Sequence, residues 1–420
     1  MTESIRHVVV GGGTPTVDFD HGTGIWLFDR AGRSYIDCTS QSWALYLGHA
    51  NPELRQHAFD VMANGWHVHQ GFATSARELF AGALLDRVQG NAGWSLYDRV
   101  AYTATSALAI ETAIKLAVLD RPGRSVIGRV RGGFHGTTLG TAPLSWPGRD
   151  DVPEEQRSLS AFANFGPAVV TFEFPDVAGG IDAAISTLKA ELAEHASGLA
   201  AVVVEPIQGS GGQRALPDWW LKALIEASDE HGYAVIFDEI QTYLRAGRYF
   251  TVNPDLPAHF VALGKGLAGG FGAGAVIMRR DARGFPPGTY DLHTFASSAL
   301  SHSVGLKLLE IVDRDLLLAN ARRRGEQLAV GLRDLATRFP GLGAVRQVGL
   351  HVGLSVGEQN APSPELARSI RLEAVDRGLL LGLGGYDPSV LKFKPPLNVT
   401  EGEVSEILGR FADAVMGGGR

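Results

Sequence analysis

Two stretches decide the fold of this chain: AVIFDEIQT, from Ala234 to Thr242, and FVALGKGLAGG, from Phe260 to Gly270. Each contains a short continuous apolar run, which is typical of a strand buried on both faces of a parallel sheet. Asp238 closes the first run and Lys265 follows the second, so an acid and a lysine are expected at neighbouring strand ends. Such a pair suits pyridoxal phosphate, because a carboxylate can keep the ring nitrogen protonated while an amine forms a Schiff base with the aldehyde.

Apolar runs alternate with amphipathic stretches outward from this pair, between about Arg99 and Met278. Continuous apolar strands joined by helices favour an α/β fold, with a mainly parallel central sheet that carries helices on both faces. The predicted strands are Val100–Thr103, Ser125–Val130, Ala168–Phe172, Ala200–Val204, Ala234–Phe237, Phe260–Leu263 and Ala273–Met278. The predicted helices include Leu108–Leu119, Ile181–Glu194 and Pro217–His231.

Both ends of the chain carry the patterns of a second, smaller unit. Near the beginning, WLFDRAGRSYID predicts a β-hairpin over Trp26–Asp37, with Ala31 and Gly32 at the turn. We expect residues 1–51 and 299–420 to form a smaller α+β domain together, beside a large cofactor-binding domain of residues 52–298. The elements predicted after the large domain are helices at Ser301–Ile311 and Ala319–Phe339 and short strands around Val345–Val356 and Leu379–Leu383.

Composition narrows the class of protein. The 420 residues are 45% hydrophobic and 20% charged, as in ordinary globular enzymes, and the net charge of −7 argues against nucleic acid or an anionic membrane as a partner. The single cysteine, Cys38, cannot form an intramolecular disulfide, and the start MTESIRHVVVGGG lacks the pattern of a signal peptide. No stretch approaches the roughly 20 apolar residues of a membrane helix. We therefore expect a cytoplasmic protein.

The segments around the acid and the lysine match three further kinds of site only in part. Asp238 and Glu239 could bind a metal, but no nearby histidine or third carboxylate completes such a site, so no metal is predicted. Gly264–Gly269 matches the dinucleotide pattern G-x-G-x-x-G, yet a glycine-rich strand follows it instead of a helix. The P-loop pattern fails as well, because glycine follows Lys265 where serine or threonine is required.

Two further segments could complete a cofactor site. Thr105 and Ser106 lie between a strand and a helix, where hydroxyls and free N–H groups bind phosphate. Capping of the helix by Ser106 accounts for the same residues equally well. In GGFHGTTLG, Phe134 could stack on the pyridine ring and His135 could orient it, although a core phenylalanine and a structural histidine are commoner. Gln241 is expected to point the same way as Glu239, along an extended segment.

Together these segments resemble the class III aminotransferases, which are pyridoxal-phosphate enzymes of fold type I. The resemblance extends from GIWLFDRAGRSYID through LGHANP to LKFKPPLNVT and so covers nearly the whole chain. DEIQT, EPIQG and ALGKGLAGG are its most specific motifs in combination.

The resemblance implies a role for each site residue. Lys265 would hold the cofactor as a Schiff base, Asp238 would meet the pyridine nitrogen, and Glu205 would line the substrate pocket. Such enzymes build their site across a homodimer interface, so an obligate dimer is expected. The other implied cofactor contacts are Phe134 on the ring, Gln241 near its hydroxyl, Thr105 and Ser106 at the phosphate, and Thr294 from the partner subunit.

The sequence departs from the family pattern in three places. Ala104–Ala107 replaces the usual Ser-Gly-Ser/Thr-Glu of the phosphate loop, and Tyr243–Arg245 is shorter and bulkier than the usual Gly-aromatic-Gly-Arg. Lys392 stands where many members have an arginine that clamps a substrate carboxylate, and lysine cannot make that two-pronged contact. Trp43 and Tyr46 fall on the expected pocket wall, which would suit a larger or cyclic amine such as an amino sugar.

The leading hypothesis is a transaminase that moves an amino group from a donor amine or amino acid to a carbonyl acceptor in two half-reactions. If Lys265 instead returns the proton to the substrate carbon, the same scaffold would act as a racemase or epimerase. A lyase is a third chemical possibility. A fold homologue without cofactor or catalysis is the alternative from another class, and the retained Asp238 and Lys265 argue against it.

Overall fold

The computed structural model describes residues 17–65, 67–89, 96–145, 161–162, 164–251, 255–289, 291–358 and 361–418. The N-terminal stretch considered for a signal peptide lies outside these ranges. Among the described residues, no helix combines the length and the apolar character that crossing a bilayer requires.

A seven-stranded sheet forms the centre of the molecule, in the order β4-β12-β11-β10-β7-β5-β6. All its pairings are parallel except those of β12, which runs antiparallel to both of its neighbours. This confirms the predicted mainly parallel α/β architecture of fold type I. The strands are β4 (Tyr97–Thr103), β5 (Val126–Val130), β6 (Val169–Phe172), β7 (Leu199–Val204), β10 (Ala234–Asp238), β11 (Phe260–Leu263) and β12 (Gly274–Arg279).

Helices cover both faces of this sheet, which explains why its strands are apolar throughout. In β10, Ala234 and Ile236 pack in one core cluster with α4 (Ser106–Asp120), whereas Val235 and Phe237 pack with α5 (Ile181–His195) and α6 (Asp218–His231). Successive side chains of a strand point to opposite faces, so a strand covered on both sides needs an apolar residue at every position. The remaining helices beside this domain are α2 (Pro52–Ala63), α3 (Ser75–Val88) and α7 (Ala299–Arg314), and short 3₁₀ turns occupy Ala142–Leu144 and Lys265–Leu267.

Two smaller sheets bring the chain ends together. In the sheet β1-β2-β3-β16, β2 and β3 form the predicted hairpin, and β16 from the C-terminal part pairs in parallel with β3. The other sheet has the order β13-β14-β18-β17, with β15 paired to β14. The strands of the first sheet are β1 (Phe19–Thr23), β2 (Trp26–Asp29), β3 (Ser34–Asp37) and β16 (Leu379–Leu380). Those of the second are β13 (Leu342–Val348), β14 (His351–Glu358), β15 (Ala361–Pro362), β17 (Gly382–Leu383) and β18 (Val390–Phe393). A separate two-stranded sheet is formed by β8 (Ile207–Gln208) and β9 (Arg214–Ala215). The helices are α8 (Leu317–Arg338), α9 (Pro364–Asp376) and α10 (Glu401–Gly418).

The short element α1 (Ser40–Trp43) is a left-handed turn, since all four residues have positive φ between 44° and 66°. This conformation is costly for residues other than glycine and persists only where the surroundings hold it. Here the Ser40 hydroxyl donates to the carbonyl of Lys394 at 2.7 Å, and Lys394 N–H donates to the carbonyl of Cys38 at 2.8 Å. The turn is thereby tied to the end of β18 and carries Trp43 to the edge of the large sheet.

Candidate active site

Residues at the carboxyl edge of the large sheet build the site. Asp238 ends β10 and is in register with Ala262 of β11, three residues before Lys265. Val204, the last residue of β7, is in register with Phe237, so Glu205 emerges beside Asp238. In α/β sheets, ligands bind outside the carboxyl ends of the strands. The predicted acid and lysine therefore lie at adjacent strand ends, at the edge where a ligand is expected.

Asp238 is held by two hydrogen bonds. One carboxylate oxygen, Oδ2, lies 2.8 Å from Nδ1 of His135, and the other accepts from the backbone N–H of Ile240 at 3.0 Å. His135 is itself fixed, because its backbone N–H donates to Ser145 Oγ at 2.8 Å. The sequence predicted that His135 orients the cofactor ring; in the structure its Nδ1 contacts the carboxylate of Asp238 and orients it.

Lys265 has an unusual backbone and an amine in buried surroundings. Its φ of +49° lies in the left-handed region, and its N–H donates to Ser106 Oγ at 3.0 Å. A Cβ on Gly264 would come within 2.2 Å of that same oxygen, so this position requires glycine. Burial lowers the pKa of Lys265, while the charges of Asp238 and Glu205 act in the opposite direction. A lysine with a lowered pKa is a better nucleophile near neutral pH.

Tyr46 is not part of the pocket wall, contrary to the sequence-based expectation. Its side chain is fully enclosed, and a Cβ on Gly266 would lie 2.5 Å from its ring. Arg245 packs over the ring, with the guanidinium carbon 5.2 Å from the ring centroid. Tyr46 therefore supports the turn that carries Lys265 from behind. The sequence could not show this because the contact joins distant segments.

The amino end of α4 is the candidate phosphate site. Thr105 occupies the cap position but makes no side-chain capping bond, and the first turn contains no acidic residue. The early N–H groups of a helix have no partner within the helix and attract anions together with the helix dipole. The alternative in which Ser106 caps the helix is wrong, because Ser106 is its first residue and its Oγ receives the N–H of Lys265.

Gln241 does not lie in an extended segment, because β10 ends at Asp238 and the chain then turns. The expectation that it points the same way as Glu239 is therefore wrong. Glu239 is fully enclosed and accepts from Thr251 N–H at 2.7 Å, whereas Gln241 Oε1 accepts from Lys394 Nζ at 2.9 Å. Gly209 makes room for this amide, since a Cβ there would lie 2.0 Å from Oε1.

Glu205 is bound by the backbone on both oxygens. Oε1 accepts from Phe134 N–H at 2.8 Å and Oε2 accepts from Gly209 N–H at 2.9 Å. Burial raises the pKa of Glu205; the charge of Asp238 adds to this effect, whereas His135 opposes it. The carboxylate thus fixes the loop that carries Phe134, beside the strand end of Asp238.

The ring system of Trp43 packs against the amines of two lysines, one in β18 and one directly after it. Lys392 Nζ is 4.3 Å from the centroid of the Trp43 ring system, and Lys394 Nζ is 4.7 Å from it. Both lysines are almost fully enclosed, with exposed fractions of 2% and 0%. Burial lowers the pKa of Lys392 to about 7. Lys394 was missed by sequence reasoning, although its position two residues after Lys392 in LKFKPP places both on the same side of an extended segment.

Thr294 is exposed in this chain. Two neighbouring apolar side chains are exposed as well, Leu292 by 47% and Phe295 by 65%. The structure of one chain therefore brings together Asp238, Lys265, Glu205 and Ser106 and leaves Thr294 on an apolar surface.

These side chains fit pyridoxal phosphate. A buried, oriented carboxylate suits a pyridinium nitrogen, an amine of lowered pKa suits an aldehyde, and an uncapped helix end suits a phosphate. Glycines allow the close approach of two of the site residues, Gly209 beside Gln241 and Gly264 beside Ser106. Fold and site together are those of a pyridoxal-phosphate-dependent enzyme.

Comparison with known proteins gives the family. The model of the family "Aminotransferase class-III" matches residues 9–415. A diaminobutyrate–2-oxoglutarate aminotransferase of Rhizobium meliloti (strain 1021) is 31% identical over 417 residues, covering 93% of this chain and 86% of that protein. An acetylornithine aminotransferase of Mesorhizobium japonicum is 31% identical over 415 residues, covering 95% and 93%. The chain belongs to the class III aminotransferase family and is a pyridoxal-phosphate-dependent aminotransferase.

A solved structure supports the fold assignment. The taurine:2-oxoglutarate aminotransferase from Bifidobacterium kashiwanohense, in complex with PLP and glutamate, has a TM-score of 0.83 and 21% identity, covering 96% of this chain and 93% of that one. It shares the fold with the present chain.

Proposed function

We propose that Lys265 and Asp238 are the catalytic pair of this aminotransferase. Their positions at the ends of adjacent parallel strands, in register through Ala262, are the observation that supports this assignment. Lys265 would attach to the cofactor through its amine, and Asp238 would hold the ring nitrogen protonated. Around them, Phe134 would cover the ring, Gln241 would donate its amide N–H to the ring oxygen, and Thr105 and Ser106 would bind the phosphate.

In this proposal Lys265 acts twice. Its amine would hold the cofactor until a donor amine takes its place, and the freed amine would then accept the proton from the substrate carbon and hold it for return. Pyridoxal phosphate, when bound, supplies the aldehyde and the electron sink. Burial lowers the pKa of Lys265 from its ordinary value, which favours an amine that can take up a proton. Its φ of +49° fixes the starting direction of the side chain.

Borohydride reduction followed by peptide mapping tests the assignment directly. Reduction should attach the cofactor permanently to the peptide that contains Lys265, and the unreduced protein should show no such adduct. Label on another lysine, or no label in a protein that binds the cofactor, would refute the proposal. A protein that binds no cofactor at all would be the non-catalytic homologue.

The reaction catalysed on a given amine is tested by its products. Transfer yields a ketone or aldehyde from the donor and an aminated acceptor. Exchange of the substrate C–H with solvent deuterium, without a carbonyl product, would instead indicate a racemase or epimerase, and elimination products would indicate a lyase.

We propose further that Lys392 binds the carboxylate of an acceptor, with Trp43 as an apolar wall beside it. Although most of the Lys392 side chain is enclosed, its Nζ is not sealed off and has no hydrogen-bond partner among the described residues, so the amine is available to a ligand. Relatives named for 2-oxoglutarate motivate testing that acid first. The apolar wall formed by Trp43 also favours a larger or cyclic amine as the donor substrate.

The pKa of Lys392 predicts a pH dependence. The protonated amine binds a carboxylate and the neutral amine does not, so kcat/KM for a carboxylate acceptor should fall above about pH 7, by roughly tenfold per unit. Lys392→Arg keeps its charge across this range and is the matched control, which should move the inflection beyond the accessible pH. An inflection near pH 7 that persists in Lys392→Arg would contradict the assignment.

We propose that the enzyme is a homodimer in which Thr294 of the partner subunit completes the phosphate site. The exposure of Thr294 between Leu292 and Phe295 supports this, as does a second apolar area with Phe59 58% and Met62 42% exposed. Contiguous exposed apolar side chains commonly mark protein interfaces.

Mixing two inactive variants tests the shared site. Lys265→Ala removes the amine, and Thr294→Glu should repel the phosphate. Mixed dimers should regain activity, because one of their two sites then combines Lys265 and Thr294 from different subunits. Each variant mixed with itself is the control. Recovery absent in verified mixed dimers would place Thr294 in its own subunit's site, and full activity of Thr294→Glu alone would place it outside any site.

We also propose the predicted domain division, with residues 52–298 as the cofactor domain and residues 1–51 and 299–420 together as the smaller domain. The parallel pairing of β16 with β3 supports the joining of the chain ends. A cytoplasmic location is proposed on the single cysteine, Cys38, which is fully enclosed.

A further inference from the structure

Lys394 is a buried lysine whose amine, among the described residues, contacts an amide and an imidazole. Its side chain is fully enclosed, and its Nζ lies 2.9 Å from Gln241 Oε1 and 2.9 Å from His351 Nε2. No ion pair joins it to a carboxylate in the described part of the chain. Burial and the charges of Lys392 and Arg245 keep the pKa of Lys394 well below its usual range. Burial and positive neighbours both favour the neutral form of such an amine.

The Lys394 amine has two polar neighbours. It donates an N–H to the amide oxygen of Gln241, which can only accept, and it lies 2.9 Å from the ring nitrogen Nε2 of His351. Burial and the charge of Lys394 keep the pKa of His351 well below its ordinary value, which favours a neutral ring.

This arrangement fixes the direction of the Gln241 amide. With Oε1 bound to Lys394, the NH₂ group faces away from that lysine. Its nitrogen has no hydrogen-bond partner among the described residues, yet it is not enclosed, in contrast to Nδ1 of His351. Gly209 packs closely against the amide, since a Cβ there would lie 2.0 Å from Oε1 and 2.7 Å from Nε2, and this limits the movement of the amide. The amide thus presents two N–H donors to a ligand at the edge where Asp238 lies.

We propose that Lys394 is a positioning residue for the aminotransferase reaction, acting through Gln241 by turning its amide N–H donors toward the cofactor's ring oxygen. The inference rests on the proposed function, in which Gln241 meets that oxygen. Lys394 itself touches neither substrate nor cofactor. A hydrogen-bond donor favours the deprotonated form of the group it meets, so this orientation also lowers the pH at which the bound cofactor titrates.

Two variants separate the effect of the Lys394 hydrogen-bond donor from the effect of side-chain size. Lys394→Met keeps an unbranched side chain of similar length but donates no hydrogen bond, whereas Lys394→Gln keeps N–H donors on a side chain that is one bond shorter. In Lys394→Met we expect kcat to fall about three- to tenfold with KM for the acceptor little changed, as for the loss of one hydrogen bond. The visible absorbance of the bound cofactor should titrate about half to one pH unit higher. In Lys394→Gln, kcat and the pH of the absorbance titration should both stay close to those of the unmodified enzyme.

A double-variant comparison tests the path through Gln241. Gln241→Ala should show the same shift of the absorbance titration, and adding Lys394→Met to it should change nothing more, because the two residues act through one contact. Additive effects would overturn the proposal, as would a purely thermal destabilisation of Lys394→Met with an unmoved titration. A selective rise in KM for carboxylate acceptors would instead make Lys394 a substrate contact.

Cofactor uptake by the unmodified enzyme distinguishes a failure of the inference about Lys394 from a failure of the proposed function. If it takes up no pyridoxal phosphate on Lys265, the proposed function fails and no titration exists to compare. If it does so and Gln241→Ala shifts the titration while Lys394→Met does not, only the inference about Lys394 fails.

Discussion

Lys265→Ala is expected to lower kcat by at least about 10⁴-fold, the largest effect of any single substitution. The variant loses the amine that attaches to the cofactor and the base that moves the proton, and each role alone is worth orders of magnitude. The fold should survive, because the N–H of residue 265 still donates to Ser106 Oγ. Single-turnover kinetics with a donor amine, and borohydride labelling, measure the two losses separately.

Two further variants sharpen this test. Lys265→Arg keeps a positive charge, but arginine cannot give up its proton in proteins, so it should be as inactive as Lys265→Ala. Lys189→Ala is the matched control on the exposed surface of α5, where Lys189 pairs with Glu226 at 3.4 Å, and its activity should be unchanged. Appreciable turnover by Lys265→Arg would mean that position 265 supplies charge and not a nucleophile.

The sequence predicted the central sheet because its strands are covered on both faces. Continuous apolar runs identified every strand of the seven within a few residues, from β4 to β12. The same property concealed the direction of β12: Val276 packs with α4 and Ile277 with the opposite core, as in the parallel strands. Helices α2 and α3 were not predicted, since exposed Phe59, Met62 and Leu79 interrupt any clean one-sided pattern.

The site was predictable only where chemistry falls at a strand end. Asp238 and Lys265 follow apolar runs, so their positions could be inferred from local sequence. Contacts between distant segments could not: His135 and Asp238 are 103 positions apart, and Gln241 and Lys394 are 153 apart. Local periodicity carries no information on such pairs, which depend on how loops meet at the sheet edge. Tyr46 was misplaced for the same reason.

Asp238→Asn is expected to lower kcat about 10- to 10³-fold while the cofactor still binds. An opposite charge at contact distance moves a pKa by roughly one to three units, and that shift is what keeps the ring nitrogen protonated near neutrality. Asparagine is nearly the same shape, so packing should be preserved: its Oδ1 can still accept from Ile240 N–H, while its NH₂ group takes the place of Oδ2 and faces Nδ1 of His135. Asp238→Ala would also be nearly inactive, but it leaves those two donors unpaired, at a cost of about 1–3 kcal/mol each.

The contribution of charge is isolated by comparing Asp238→Asn with His135→Asn. Removing His135 frees one oxygen of the carboxylate but leaves its charge next to the ring nitrogen, so we expect a smaller loss, about tenfold or less. Asp238→Asn should lose far more activity at nearly equal cofactor affinity, measured by titration of the apoprotein with pyridoxal phosphate. Because Asp238 and His135 are both buried, water screens the carboxylate only weakly, and its charge acts strongly on the ring. Full turnover in Asp238→Asn, or equal losses in both variants, would show that orientation matters here and charge does not.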